Sequence, residues 1–342
     1  MRDIALRAGC SVSTVSRALR GNPRISREVR GRVGEVAAEL GYRCDENASR
    51  LMSGFRAKAR GEGPAPEVVA LIHAQDCRYQ TEDRLGFWSA LTSAGEALGL
   101  EVNEFVLDPD DPGPSGRRLS RVLQHRGIRG AVLFPFYQPD IRRWELDWDA
   151  FSLVAVGSSP EHPTIDRVDL SDYEDAMLCL GEIAARGYRR IGLTSSTRSE
   201  LHTGGVFVAA YHYFMETHPE IESCPVLRLT GRSQSLTPND RPAFESWFRE
   251  HRPDAIVTSR HEVREWLAGM ELAVPGDIGL ATLWPEKDWA GIAFESSGLM
   301  RPALEWLRAK LWSHKTGPGD PAQRLLVRSP WREGETLRRA EG

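Results

Sequence analysis

The first forty residues carry three runs of helical periodicity separated by polar punctuation. Asp3 to Ala8 reads as a first helix, and Gly9-Cys10 supplies a turn, glycine tolerating backbone angles that a side chain resists. Ser11 is placed to cap a second helix, its hydroxyl accepting from the free amide of Ser13 or Thr14, with Val15 and Leu19 on the apolar face. The stretch Arg20-Gly21-Asn22-Pro23-Arg24 breaks the pattern. Ser26 then caps a third helix, with Glu28 in the first turn, where the helix dipole favours an acid. Val29, Val33, Val36, Ala37 and Leu40 recur at helical spacing and predict one buried stripe. Two short helices across a tight turn with a third in support make a helix-turn-helix head.

The pattern changes after residue 66. Short apolar runs at Val68–Ile72, Glu101–Phe105, Gly130–Phe134, Leu153–Gly157, Arg190–Leu193, Asp254–Val257 and Ile278–Ala281 predict strands. Helical stretches alternate with them, the first at Phe87–Leu91 and Ala97–Leu100. Such alternation implies parallel sheets built from strand-helix-strand units, with ligands taken at the carboxyl ends of the strands. Between the two regions, Arg56-Ala57-Lys58-Ala59-Arg60-Gly61-Glu62-Gly63-Pro64-Ala65-Pro66 reads as a basic linker.

Charge separates the regions further. Residues 1–60 hold thirteen Lys or Arg against six Asp or Glu, a net of +7; the remainder holds 31 against 42, a net of −11, and the sum is the whole-chain −4. A basic helical head on an acidic body is the electrostatic footprint of phosphate binding confined to one end.

In order and spacing, Asp3-Ile4-Ala5, Ala8-Gly9, Ser11-Val12-Ser13-Thr14-Val15-Ser16-Arg17, Arg30, Val33 and Ala38-Glu39-Leu40-Gly41-Tyr42 resemble the lactose-repressor (LacI/GalR) family of bacterial transcription regulators. The resemblance implies that Val12, Ser13 and Arg17 face base edges in the major groove. The residue types suit that work: Arg17 offers a bidentate donor to guanine, Ser13 donates or accepts, and Val12 packs on a thymine methyl. Thr14, Ser16 and Arg24 are assigned to phosphates, with ordinary helix-surface solvation as the alternative for Thr14 and Ser16. In Glu46–Gly54 the resemblance implies a hinge helix that folds on operator DNA, Leu51 wedging into the central minor-groove step. Cys44 and Glu46 stand where the family has prolines, and Asn47 where it has an apolar dimer contact, so this hinge is expected to form less readily.

The resemblance continues more loosely through Arg126–Ala131, Val168-Asp169, Arg186–Gly192 and Val274–Gly279, and Trp331–Thr336 resembles the family's closing strand. The implied fold is an N-terminal all-α helix-turn-helix head and hinge helix, then an α/β periplasmic-binding-protein-like body of two Rossmann-like lobes with parallel sheets. The expected domains are a DNA-binding head at 1–45, a hinge and linker at 46–66, and an effector-binding and dimerisation body at 67–342. Crossovers near 158–163, 285–292 and 314–321 would give lobe 1 about 67–160 and 290–315, and lobe 2 about 161–287 and 320–333.

Candidate effector contacts at strand ends are Gln75, Asp76, Phe136, Tyr137, Ser158, Arg198, Phe207, Ser259, Trp284 and Asp288. Trp284 and Tyr137 read either as stacking surfaces or as core, and Arg198 and Asp288 either as ligand contacts or as surface or interlobe pairs. Phe207 occupies the position where sugar-responsive members carry a clamping arginine, and Leu283-Trp284-Pro285 displaces a late Gly-Phe-Asp motif, so two polar anchors for a sugar are missing.

Other functions lack their signatures. No GxxxxGK[ST], HExxH, GxSxG or paired CxxC is present, so neither an enzyme nor a cofactor is indicated. The nine His are scattered, His202 and His212 lying ten apart, and no metal site is expected. Five dispersed cysteines suit reduced thiols in a cytosol. A periplasmic solute-binding protein would share the body, but residues 1–25 hold no apolar leader and the head would be unexplained. No membrane span is present. Because Asp3 already belongs to a helix, residues that would cap it are expected upstream of Met1. The reading is a cytoplasmic, nucleoid-associated homodimeric repressor that binds a pseudo-palindromic double-stranded operator and responds to a small-molecule effector. An activator or an effector-independent regulator is the alternative.

Overall fold

The computed structural model describes residues 2–19, 25–40, 66–74, 81–108, 110–134, 141–157, 163–197, 200, 203–230, 239–284, 286–294 and 296–339. The chain divides into two compact units, Met1–Pro66 and Glu67–Gly342.

In the first unit, α1 (Arg2–Ala8), α2 (Val12–Leu19) and α3 (Arg27–Glu39) enclose a small core. Ile4, Ala5 and Ala8 from α1, Val15 and Ala18 from α2, and Val33 and Ala37 from α3 are buried in it, with Cys10, Ile25, Val29 and Val36 at its edge. The predicted stripe of α3 therefore holds except at its end. Leu40 lies past the end of α3 and is exposed. The linker and hinge region lies outside the described residues.

The second unit follows the predicted alternation. Its elements are β1 (Glu67–Ala74), α4 (Thr81–Ala97), β2 (Leu100–Leu107), α5 (Pro112–His125), β3 (Gly130–Leu133), β4 (Ser152–Val156), β5 (Arg167–Leu170), α6 (Asp172–Ala185), β6 (Arg190–Ser196), α7 (Val206–Thr217), β7 (Glu222–Ser223), β8 (Leu227–Leu229), α8 (Asp240–His251), β9 (Ala255–Thr258), α9 (Glu262–Gly269), β10 (Gly279–Thr282), β11 (Ala290–Ile292), α10 (Ser296–Trp312), β12 (Arg324–Val327) and β13 (Trp331–Arg332). The expected helical Ala97–Leu100 instead ends α4 and opens β2, because Gly99 takes φ +69 and turns the chain.

Two sheets form. One is parallel throughout, in the order β12-β5-β4-β3-β1-β2. The other runs β13-β11-β10-β9-β6-β7, with β8 also on β6, and only β13 is antiparallel to its neighbour. The inner strands of each sheet are covered on both faces, which is why they read as apolar runs rather than as alternating patterns. In lobe 1, Val69 and Leu71 pack under α4 and α10, while Ala70 and Ile72 face α5, Trp144 and Phe151. In lobe 2, Ala255 and Val257 face α6 and α7, while Ile256 joins α8 and α9.

The lobes do not divide where the sequence suggested. β5 and β12 both belong to the lobe 1 sheet, and β11 belongs to lobe 2. The chain therefore crosses between Leu170 and Asp172, between Ile292 and Ser296, and between Val327 and Trp331. Lobe 1 is thus about 67–170 and 294–327, and lobe 2 about 171–293 and 328–339. Pairing decides this: Leu325 aligns with Val168, and Ala155 with Arg167, in one continuous parallel ladder.

Candidate functional site

In the head, three residues between α1 and α2 make the turn. Gly9 adopts φ +63, and Cys10 N–H closes α1 by donating to Ala5 O at 3.0 Å. Ser11 then starts α2: its Oγ accepts from Thr14 N–H at 3.1 Å and lies 2.8 Å from the hydroxyls of Ser13 and Thr14. Ser26 Oγ accepts from Val29 N–H at 3.3 Å and caps α3 in the same way.

These caps fix which face of α2 is free. Val15 is fully buried and Ala18 nearly so, anchoring one side, while Val12 is 43% exposed and Ser13 is exposed beside it. An exposed valine at the first turn of a helix, next to a hydroxyl, gives the helix an outer surface able to meet both a methyl and a polar edge. Ser16 and Arg17 lie within α2, but their side chains are outside the described set, as is Arg24 altogether. Leu51 is also outside it.

In the body, topology defines a cleft. β5 runs directly into α6 of the other lobe, and β11 runs through Ala293 and Phe294 into α10 of lobe 1. Because neighbouring strands are parallel, the carboxyl ends of β1, β3 and β4 point toward lobe 2, and those of β6, β9 and β10 toward lobe 1. Ligands in such folds bind between these ends.

Of the predicted cleft residues, Ser259 and Trp284 sit at such ends, after β9 and β10. Trp284 is 43% exposed, its backbone N–H donating to Thr282 Oγ1 at 3.0 Å and its ring 5.9 Å from that of Phe294. It is not core. Phe207 lies in the first turn of α7 and packs against the lobe 2 core, so it supplies an apolar wall and no hydrogen bond. Asp288, expected at the cleft, is instead exposed in a turn at φ +64 at the amino end of β11, the end of the sheet away from the cleft, and its carbonyl accepts from Glu335 N–H at 2.9 Å. Gln75, Asp76, Phe136, Tyr137, Ser158 and Arg198 lie outside the described residues.

Sequence reasoning missed the groups beside Ser259. Thr258 Oγ1, fully buried, accepts from Thr194 Oγ1 at 2.7 Å and from Arg260 N–H at 3.0 Å. Arg260 Nη2 donates to Glu262 Oε1 at 2.9 Å, both side chains being about nine-tenths buried. Arg260 Nε and Glu262 Oε2 are buried with no hydrogen-bond partner among the described residues. The available signal was positional: these residues directly follow a predicted strand.

Residues 1–45 match the family model described as "Bacterial regulatory proteins, lacI family". Residues 1–45 are thus a lacI-family head. A curated relative, the HTH-type transcriptional regulator AglR of Rhizobium meliloti (strain 1021), is 28% identical over 199 residues, 56% of this chain and 51% of AglR. The chain thus matches about half the length of that relative. Two solved structures share the fold. A transcriptional regulator CelR-cellobiose complex has a TM-score of 0.58 at 17% identity, covering 98% of each chain. The lac repressor dimer bound to operator and the anti-inducer ONPF has a TM-score of 0.56 at 15% identity, covering 98% of this chain and 97% of the other. The lacI-family head and the two-lobed, periplasmic-binding-protein-like body are therefore those that the resemblance along the head and body implies.

Proposed function

We propose that the protein is a DNA-binding transcriptional regulator that acts as a homodimeric repressor on a pseudo-palindromic operator. The observation that carries this is the outer face of α2, with Val12 and Ser13 exposed while Val15 and Ala18 lock the helix to α1 and α3. A helix held by its inner side and bare on its outer side is built to enter a groove. On this reading Val12, Ser13 and Arg17 contact base edges, Thr14, Ser16 and Arg24 contact phosphates, and Leu51 opens the central step. Two heads on two half-sites give the symmetry. The test is selection of bound duplexes from a randomised library with the intact chain. An inverted repeat is the expected consensus, and a library that stays unenriched would refute the reading.

The cleft is assigned to a small-molecule effector, with Ser259, Trp284 and Phe207 among its contacts and Gln75, Asp76, Phe136, Tyr137, Ser158 and Arg198 completing the set from the sequence. The CelR structure holds cellobiose; here an apolar Phe207 on the lobe 2 core and the exposed Trp284 replace two polar anchors. A site built to hydrogen-bond hydroxyls loses its ligand when those partners go. Common hexoses and pentoses at millimolar concentration are therefore expected to leave the melting temperature unchanged. Phe207→Arg alone is expected not to restore binding. A rise in melting temperature with a simple unmodified sugar would contradict this account of the cleft.

A further inference from the structure

The hydroxyl of Ser11 meets three groups at the start of α2. Its Oγ accepts from Thr14 N–H at 3.1 Å and lies 2.8 Å from both Ser13 Oγ and Thr14 Oγ1. A serine hydroxyl carries one proton and two lone pairs. The Thr14 amide takes one lone pair, because a backbone N–H only donates. One lone pair and one proton then remain for two neighbouring hydroxyls, and each O–H···O contact needs one proton between its oxygens. Ser11 therefore donates to one of the two and accepts from the other. Ser13 and Thr14 cannot both present a proton outward. The one that accepts from Ser11 keeps its own proton to give, and the one that donates to Ser11 has only lone pairs left to offer.

The direction of this chain rests on the reading of the head as a DNA reader, in which Thr14 meets a phosphate. A phosphate oxygen accepts and has no proton to give, so Thr14 must donate to it. Thr14 thus receives the Ser11 proton, and Ser13 gives its own proton to Ser11. Ser13, exposed beside Val12 on the outer face of α2, then turns only lone pairs toward the groove.

We propose that Ser11 makes Ser13 a hydrogen-bond acceptor, so that Ser13 selects the exocyclic amino group of a base pair, adenine N6 or cytosine N4, and rejects a carbonyl oxygen. Each base pair shows one such amino group and one carbonyl in the major groove, at different places across it. A serine free to rotate serves either. Held by Ser11, Ser13 gains a hydrogen bond at the amino group and meets a repelling oxygen at the carbonyl. Ser13 touches the base, and Ser11 is a positioning residue that acts through it.

Base analogues in the selected duplex, titrated with the intact chain by fluorescence anisotropy, test this. The pair that Ser13 reads is the one at which Ser13→Ala abolishes preference. There, 2-aminopurine for adenine or 2-pyrimidinone for cytosine deletes the groove amino group. 5-Methyl-2-pyrimidinone for thymine or 2-aminopurine for guanine deletes the groove carbonyl instead. Deleting the amino group in both half-sites is expected to weaken wild-type binding about fivefold or more, and binding by Ser13→Ala less than about twofold. Deleting the carbonyl is expected to change both proteins alike. Ser11→Gly keeps the helix start at small cost and frees the Ser13 hydroxyl. Reversing the base pair, which exchanges amino group and carbonyl, is therefore expected to cost Ser11→Gly less than it costs the wild type.

A carbonyl deletion that weakens the wild type and spares Ser13→Ala would overturn the proposal. So would an amino deletion that costs both proteins equally, or a Ser13→Ala chain that keeps every base preference. In each of these cases the head still reads DNA and only the polarity given to Ser13 is wrong. A library from which no duplex is selected overturns both together. The wild-type and Ser13→Ala arms decide alone if Ser11→Gly does not fold.

Discussion

Arg17→Ala is expected to lower affinity for the selected operator about 30-fold or more, the contact being lost in both half-sites, while affinity for random duplex falls far less. The magnitude is that of one bidentate guanidinium–guanine contact, roughly 1–3 kcal/mol per half-site. Arg17 lies on the same helix as the exposed Val12 and Ser13, two positions beyond the fully buried Val15. Ser11 places that helix by capping it, so losing the Arg17 side chain need not disturb the head. Fluorescence anisotropy against both duplexes reads the difference. Equal losses on the two would make Arg17 a phosphate contact and leave base reading to Val12 and Ser13.

Lys310→Ala is expected to destabilise the body by about 3–5 kcal/mol, the cost of leaving one partner of a buried ion pair alone. Lys310 Nζ on α10 donates to Asp166 Oδ2 at 2.7 Å, both residues being more than nine-tenths buried, and Asp166 Oδ1 accepts from Gln323 N–H at 2.8 Å. One carboxylate thus ties α10 to the approaches of both β5 and β12. Urea unfolding of the intact chain, followed by tryptophan fluorescence, measures the loss. A double variant, Lys310→Met with Asp166→Leu, is expected to be more stable than Lys310→Ala, because no buried charge remains. A loss below 1 kcal/mol in the single variant would show that water reaches the pair.

The head was legible because its determinants are local. Ser11 caps through Thr14 three residues on, Gly9 turns where the sequence placed the turn, and Val15 and Val33 recur at the spacing that meets the core. The body's strands were legible as apolar runs, but their lobe membership was not. β5 is Arg-Val-Asp-Leu with only Val168 and Asp169 buried, and β12 exposes Leu325 and Leu326 by 41% and 53%. Neither segment carries an inside-outside pattern that could assign it: β5 is placed by its pairing with β4, and β12 by pairing with β5 between residues more than 150 apart. In the cleft, the position of Phe207 was readable from the resemblance, whereas the Thr194–Thr258–Arg260–Glu262 group needed three segments brought together.

The central claim, that the head reads DNA sequence, is tested most directly by titrating the intact chain against the selected duplex and a scrambled duplex of equal length across a salt series. The account predicts tighter binding to the selected duplex at every salt concentration, by about 10³-fold or more. Both affinities should also fall with salt as phosphate contacts release counterions. Equal affinity for the two duplexes throughout the series would contradict it.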